Sequence, residues 1–326
     1  MRCIYNRSTD PAFNLAAEDW LLHNATDDIF MLWRNARAVI VGRNQNTLAE
    51  INEDFVRTEA IPVVRRLTGG GAVFHDLGNL NFTCISLHTA SGALDFRRFI
   101  QPVADALQTL GVPCVFSGRN DLVANGKKIS GNAQYVYKNR VLHHGTLLFS
   151  ACLDNISQAL KPNHAKYAGR AVSSVRSRVG NIVDFLPQPM SIEAFIDFLL
   201  QHMSGGGIPS SNVSLSEQEA RAIESLAEKK YRSWEWNYGH VPQYAFTRVT
   251  RTEGGVLDIH LDVRQGRLER VRIFGDYFGV RDVAELEEHL CGCRHTREDL
   301  MARLEDIALE SYLYGVSREA FCDCLF

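Results

Sequence analysis

No stretch of the 326-residue sequence strings together the roughly 18 apolar residues that a membrane-spanning helix needs. The opening MRCIYNRSTDPAF likewise lacks the apolar core of a secretory signal. A cytoplasmic protein with no membrane partner is therefore expected. Positive charge is not in surplus: 35 Lys and Arg stand against 38 Asp and Glu, a net charge of -3. Neutralising the phosphates of a nucleic acid requires the opposite balance, so no nucleic-acid partner is expected and any basic patch must be local. Cysteine is sparse, with eight in the chain, too dilute for a disulfide scaffold and in keeping with free thiols. Cys291, Cys293 and His295 recur with Cys322 and Cys324 near the end, but Cys-x-Cys is not the zinc-ribbon spacing, and small core residues are the plainer reading. Internal repeats and low-complexity tracts are also missing.

What is present is an ordinary globular composition, 45% hydrophobic and 22% charged, with enough apolar side chains for a sizeable core. The length suits one large domain with a smaller companion. The change of pattern near Phe246 places the division there, giving units 1–245 and 246–326.

Asp10 followed by Pro11 starts a helix with a capping carboxylate, and Phe13, Ala16, Ala17, Trp20 and Leu21 fall on one face of it. Ile29 to Trp33 and Ala38 to Val41 read as two strands of a hairpin. Asp95 to Leu110 repeats apolar residues at helical spacing and stops at Gly111, although Pro102 suggests a late start or a kink. Asn125-Gly126, the strongest short hairpin signal, predicts a tight turn that delivers Lys127 and Lys128 at the start of a strand. Ser216 and Glu219 form a capping box ahead of a charged helix through Lys230, which leaves the Gly205-Gly206-Gly207 stretch as a loop. Beyond Phe246, strands over 256–261 and 268–274 and short helices around 285–290 and 298–309 predict a small α+β unit.

The most informative segment is Arg65-Arg66-Leu-Thr-Gly69-Gly70-Gly71-Ala72-Val73-Phe74-His75-Asp76. Glycines let backbone N–H groups approach an anion, and the basic pair adds charge, so a phosphate cradle is the functional reading. Taken alone, three glycines are more often a plain turn. The segment is not a P-loop, because no Gly-Lys-Ser/Thr follows, nor does it have the dinucleotide spacing. Its company decides the matter: Ser117-Gly118-Arg119-Asn120-Asp121, then Lys128-Ile129-Ser130-Gly131, then His143-His144-Gly145-Thr146.

This set resembles the lipoate-protein ligase family, of the A type, within the biotin/lipoate-protein-ligase superfamily. Further matches are Trp33-Arg34-Asn35, Gly42-Arg43-x-Gln45-Asn46, Ser174 to Arg178 and Ser233-Trp234-Glu235-Trp236-Asn237. The resemblance covers the chain from Pro11 to about Tyr238 and is loose beyond. It implies a mixed α/β (α+β) fold, with a large domain of sheets flanked by helices and a small α+β C-terminal accessory domain. It also implies ATP-dependent activation of lipoate to lipoyl-AMP and transfer of the lipoyl group to a lysine. The acceptors it implies are lipoyl domains of 2-oxoacid dehydrogenase complexes and the glycine-cleavage H protein.

Bringing a carboxylate to the α-phosphate of ATP joins two anions, so the chemistry needs fixed positive charge and a metal on the phosphates. Lys128 is the catalytic residue implied by the resemblance, with Lys127 facing the other way on the strand. ATP-binding residues so implied are Arg66, Gly71, Ala72, Val73, Phe74, Asn120, Asp121 and Lys128. Those for lipoate are Arg66, Gly70, His75, Lys128, His144 and Thr146. Asp121 is the implied holder of Mg2+, with a turn-capping aspartate as the plainer alternative. Lipoic acid is the expected acid, and octanoic acid, which lacks the ring sulfurs, is not separated from it by sequence. Four rivals remain: a cysteine-dependent octanoyl or lipoyl transferase using Cys114, an enzyme of this fold that transfers preformed lipoyl-AMP without making it, a biotin-protein ligase, and a non-enzymatic lipoate-binding protein. The biotin-type Gly-Arg-Gly-Arg run is absent, and a mere binder has no need of the phosphate loop with Lys128.

Overall fold

The computed structural model describes residues 1–45, 47–87, 95–118, 120–160, 179–206, 214–238, 246–264 and 267–326. Asn46, Arg119, the Ser174 to Arg178 motif and Gly207 lie outside the described residues.

Among the described residues thirteen strands form three sheets. The largest has the order β1 (Arg2–Asn6), β2 (Ile29–Arg34), β6 (Asn79–Leu87), β10 (Arg140–Leu148), β9 (Lys127–Tyr137), β8 (Asp121–Ala124), β7 (Cys114–Ser117). β1 and β2 run parallel because the Pro11–Asn24 helix connects them, as a parallel pair requires. A second sheet has the order β4 (Val63–Arg65), β3 (Ala38–Val41), β5 (Val73–His75). The third, β11 (Phe246–Thr252), β12 (Gly255–Arg264) and β13 (Arg267–Gly275), is an antiparallel meander.

The hairpin expected from Ile29 to Val41 does not form. β2 pairs with β1 and β6, while β3 pairs with β4 and β5 in the other sheet. Ile29 to Trp33 and all of β3 are buried, so neither run shows the alternation of a half-solvated hairpin. Asn35, fully buried between them, accepts from Asn14 Nδ2 at 2.8 Å and anchors the chain as it passes from one sheet to the other.

The Pro11–Asn24 helix starts as expected, with Asp10 accepting from Ala12 N, but it is buried nearly all round. Asn14, Glu18 and Asp19 are buried along with Leu15, Ala16, Ala17 and Leu21, and each polar group has a partner. The Phe96–Thr109 helix is capped by Asp95 and runs through Pro102 without a break. Asn125 and Gly126, at φ 48° and 78°, make the tight β8–β9 turn. The capping box at Ser216 and Glu219 is present, and its helix continues as a π-helical turn through Tyr231.

The C-terminal strands and helices (Val283–Leu290, Arg297–Glu305, Arg318–Cys324) enclose their own core. Cys322 and Cys324 are fully buried in it, and all eight cysteines are free. Among the described residues no group of three or more His, Cys, Asp or Glu side chains could hold a metal. Also among them, no helix is long and apolar enough to cross a membrane. The C-terminal region nevertheless reaches into the first core, which the seven-stranded sheet forms with the Phe96–Thr109 helix: Phe278 is 1% exposed, stacked edge-on against Phe96 at 5.2 Å, and Gly275 N donates to Asn44 O.

Candidate active site

A cavity of about 330 Å³ opens where the seven-stranded sheet meets the β4-β3-β5 sheet, near the lower end of the roughly 300–1,000 Å³ typical of small-molecule sites. Arg66, Gly70, Gly71, Ala72, Val73, His75, Asn120, Asp121, Lys128, His144 and Thr146 all line it. Phe74 is the exception. Flanked on β5 by Val73 and His75, its side chain points to the opposite face and packs with Val39, Val41 and Ile61.

Arg65 and Arg66 are not solvated charges. Arg65 is 1% exposed and donates to the carbonyls of Gly42, Arg43, Gln45, Trp236 and Asn237 and to Thr47 Oγ1, so one guanidinium ties two distant segments together. Arg66 turns inward on its own loop: Nη2 donates to Gly69 O at 2.7 Å and Gly71 O at 2.9 Å, and Nη1 to Ile40 O at 3.2 Å. Burial lowers each guanidinium to about 10, still charged near neutral pH. The loop conformation needs Gly70 at φ 90°, and a Cβ on Gly42 would lie 2.0 Å from Gly70 O.

The β8–β9 hairpin supplies the other side. Lys128 Nζ lies 2.7 Å from Asp121 Oδ1. Asn120 and Asn132 exchange side-chain-to-backbone hydrogen bonds, Nδ2 to O in each direction, which fixes Asp121 at the strand start. A register shift pairs Val123 with Lys128 and Leu122 with Ser130, so Lys128 and Gly131 share the cavity face. The lysine stem lies across Gly131, where a Cβ would meet Cε and Nζ at 2.9 Å. Lys127 is exposed, does not line the cavity, and runs along Gly180.

The histidines divide by burial and partner. His143, fully buried between Phe82 and Phe99 and bonded to Gln134, is a core residue; burial holds it neutral, well below the usual histidine range. His75 is pushed down to about 3 by burial, with Arg66 and His144 adding to the shift. Asn35 Nδ2 donates to its Nδ1 at 3.0 Å. His144 faces the Glu18 carboxylate at 2.9 Å. Cys114, the first residue of β7, is 1% exposed, and burial pushes its thiol up to about 11. A nucleophilic cysteine needs the opposite environment, and Cys114 does not line the cavity.

Sequence reasoning missed Leu15, Ile40, Asn81, Asp276 and Phe278 on the cavity wall and Glu18 behind it. The burial of Glu18 on a helix face shared with Leu15 has no local signature. Asp276 and Phe278 arrive from the far end of the chain.

A rim of lysine and glycine-loop backbone, with apolar walls behind it at Leu15, Trp33, Ile40 and Phe278, has the chemistry to suit a small acid and a phosphate group. Comparison with known proteins agrees. The description "Lipoyl protein ligase A/B catalytic domain" matches residues 10–204 and "Bacterial lipoate protein ligase C-terminus" matches residues 241–325. Lipoate–protein ligase 1 of Staphylococcus aureus is 42% identical over 315 residues, 96% of each chain. Lipoate-protein ligase LplJ of Bacillus subtilis is 40% identical over 323 residues, 97% of each. The chain belongs to the lipoate-protein ligase family. A lipoate complex from P. falciparum shares the fold at TM-score 0.80 and 23% identity, covering 99% of this chain and 97% of that one. A lipoate-protein ligase A bound with ATP matches at TM-score 0.62 and 28% identity, covering 74% and 99%. A bipartite ligase from Thermoplasma acidophilum, described together with its E2 lipoyl domain, matches at 0.63 and 28%, covering 76% and 100%.

Proposed function

We propose that this chain activates lipoate with ATP and transfers the lipoyl group to a lysine of a lipoyl domain. In the first step a carboxylate oxygen of lipoate attacks the α-phosphorus, and pyrophosphate leaves to give lipoyl-AMP. In the second the acceptor amine attacks the carbonyl, AMP departs and an amide forms. The observation that carries this reading is Lys128, held by Asp121 and Gly131 at the cavity rim opposite the glycine loop. From that place its ammonium can reach both the acid and the phosphate. Backbone N–H groups near Gly71 to Val73 would face the nucleotide, while Arg66 keeps their loop in shape. His75, His144 and Thr146 would border the acyl group.

Mg2+ fits the donor set as an ion carried on the nucleotide phosphates and met by one carboxylate, Asp121, where it would neutralise phosphate charge. We further assign residues 1–245 as the catalytic unit and 246–326 as an accessory unit, and take the glycine-cleavage H protein as a second acceptor. Incubating the chain with ATP, magnesium and lipoate tests the reading: pyrophosphate release without acceptor supports it, and lipoate binding with no turnover favours the non-enzymatic alternative.

A further inference from the structure

Behind the cavity a single carboxylate joins two of its walls. Trp33 Nε1 donates to Thr83 Oγ1 at 2.8 Å, and Thr83 Oγ1 donates to Glu18 Oε1 at 2.6 Å. His144 Nδ1 lies 2.9 and 3.0 Å from the two oxygens of Glu18. On its other side, His144 Nε2 is 2.8 Å from Thr68 Oγ1, to which Arg66 Nε donates at 2.9 Å. Strand register makes the chain possible, because Thr83 on β6 stands opposite His144 on β10. Glu18 is 2% exposed, and Thr68 and Thr83 are fully buried.

The donors at the two ends orient the hydroxyls between them, and one proton arrangement joins the whole chain. An indole N–H and a guanidinium N–H can only donate, so both threonine hydroxyls accept from them, and each is left with its own proton free to point inward. Thr83 gives its proton to Glu18, and Thr68 gives its proton to His144 Nε2. That leaves His144 with its proton on Nδ1, aimed at the carboxylate. In this assignment every hydrogen between the indole and the guanidinium has an acceptor.

We propose that Glu18 is a positioning residue that sets the acyl-side wall and the nucleotide-side loop together. Towards the acid, it holds the Trp33 indole through Thr83 and the His144 ring directly. Towards the nucleotide, it acts through His144 and Thr68 on Arg66, whose remaining N–H groups staple Gly69 and Gly71. The Glu18 carboxylate also supports the buried Arg66 guanidinium against desolvation. This rests on the reading of the cavity as an acid- and ATP-binding site.

Glu18→Gln keeps the volume but breaks the relay, since an amide placed between two donors must turn its NH2 towards one of them. The full-length variant is expected to lose about 10- to 100-fold in kcat/KM for pyrophosphate release, the scale of one charge-assisted hydrogen bond. The KM for ATP, measured at saturating lipoate, should rise along with that for lipoate. Thr68→Val cuts the relay beyond His144 and should reproduce the ATP-side defect with a smaller change in the lipoate KM. An unchanged ATP KM in both variants would overturn the proposal and leave Glu18 as a wall of the acyl slot. Nitrogen NMR of His144 in the unsubstituted protein, assigned by the signal lost in His144→Gln, gives a reading that needs neither turnover nor a folded Glu18 variant. A proton on Nδ1 supports the relay, and a proton on Nε2 alone contradicts it. Absence of pyrophosphate release by the unsubstituted protein would instead fault the functional reading.

Discussion

Lys128 Nζ and Asp121 Oδ1 stand 2.7 Å apart across a hairpin closed by Asn125 and Gly126. The neighbouring Lys127 leaves the strand on the other side. Two adjacent lysines thus have different fates, decided by strand alternation and a one-residue register shift.

Lys128→Ala is expected to abolish adenylate formation, by roughly a hundredfold or more, since a charge aimed at the reacting phosphate is lost. Lys127→Ala should retain most of it. Pyrophosphate release measured for both is the check, and equal sensitivity would overturn the assignment of Lys128.

Cys114→Ser should remain active with ATP and lipoate, because the mixed anhydride with AMP is the activated species. Placing a hydroxyl in the apolar Cys114 site costs about 1–3 kcal/mol, visible as a lower denaturation midpoint. Trapping an acyl-thioester on Cys114, followed by transfer without ATP, would move the protein to the transferase class.

His75, pushed down to about 3, and His143, held well below the usual range, are both neutral in the fold and take up protons when unfolded. The unfolded chain binds more protons below about 6.5, so stability is complete above that pH and falls as pH drops towards 3. Each histidine contributes a slope approaching about 1.4 kcal/mol per pH unit well below 6.5. Urea unfolding at a series of pH values would show it, and His143→Phe should flatten the curve. An acid limb as steep in the variant as in the original would remove His143 from the explanation.

Phe278 fills the first core from the C-terminal region and also lines the cavity. Phe278→Ala should cost about 3–5 kcal/mol of stability, the scale for emptying an aromatic core site. It should also change the ratio of adenylate formation to transfer from supplied lipoyl-AMP, because the wall lost comes from the C-terminal residues 246–326, proposed above as the accessory unit. The same is expected of a chain ending near Ala245, provided circular dichroism shows it folded. An unchanged ratio in both would separate that unit from the chemistry.

What was legible in the sequence was local. Asn125-Gly126, the Ser216–Glu219 capping box and the Asp10-Pro11 start each carry their cause within a few residues. The glycine loop and Lys128 were legible because their motifs are contiguous. The destination of β3 was not, since a short buried run reads the same whether it pairs with its neighbour or with a strand in another sheet. Glu18, in the helix that starts at Pro11, has no local signal that marks it for burial. Only the pairing of β6 with β10, which brings Thr83 beside His144, gives its buried carboxylate partners. Arg65 looked like half of a charged pair and is instead the most heavily bonded arginine of the core, because its carbonyl partners lie as far away as Asn237.

The most direct measurement is mass spectrometry of a lipoyl domain incubated with the protein, ATP, magnesium and lipoate, and in parallel with octanoate. Addition of one lipoyl group to a single lysine, dependent on ATP and lost with Lys128→Ala, is the expected result. An unmodified acceptor under these conditions, or modification that proceeds without ATP, would contradict the proposed function.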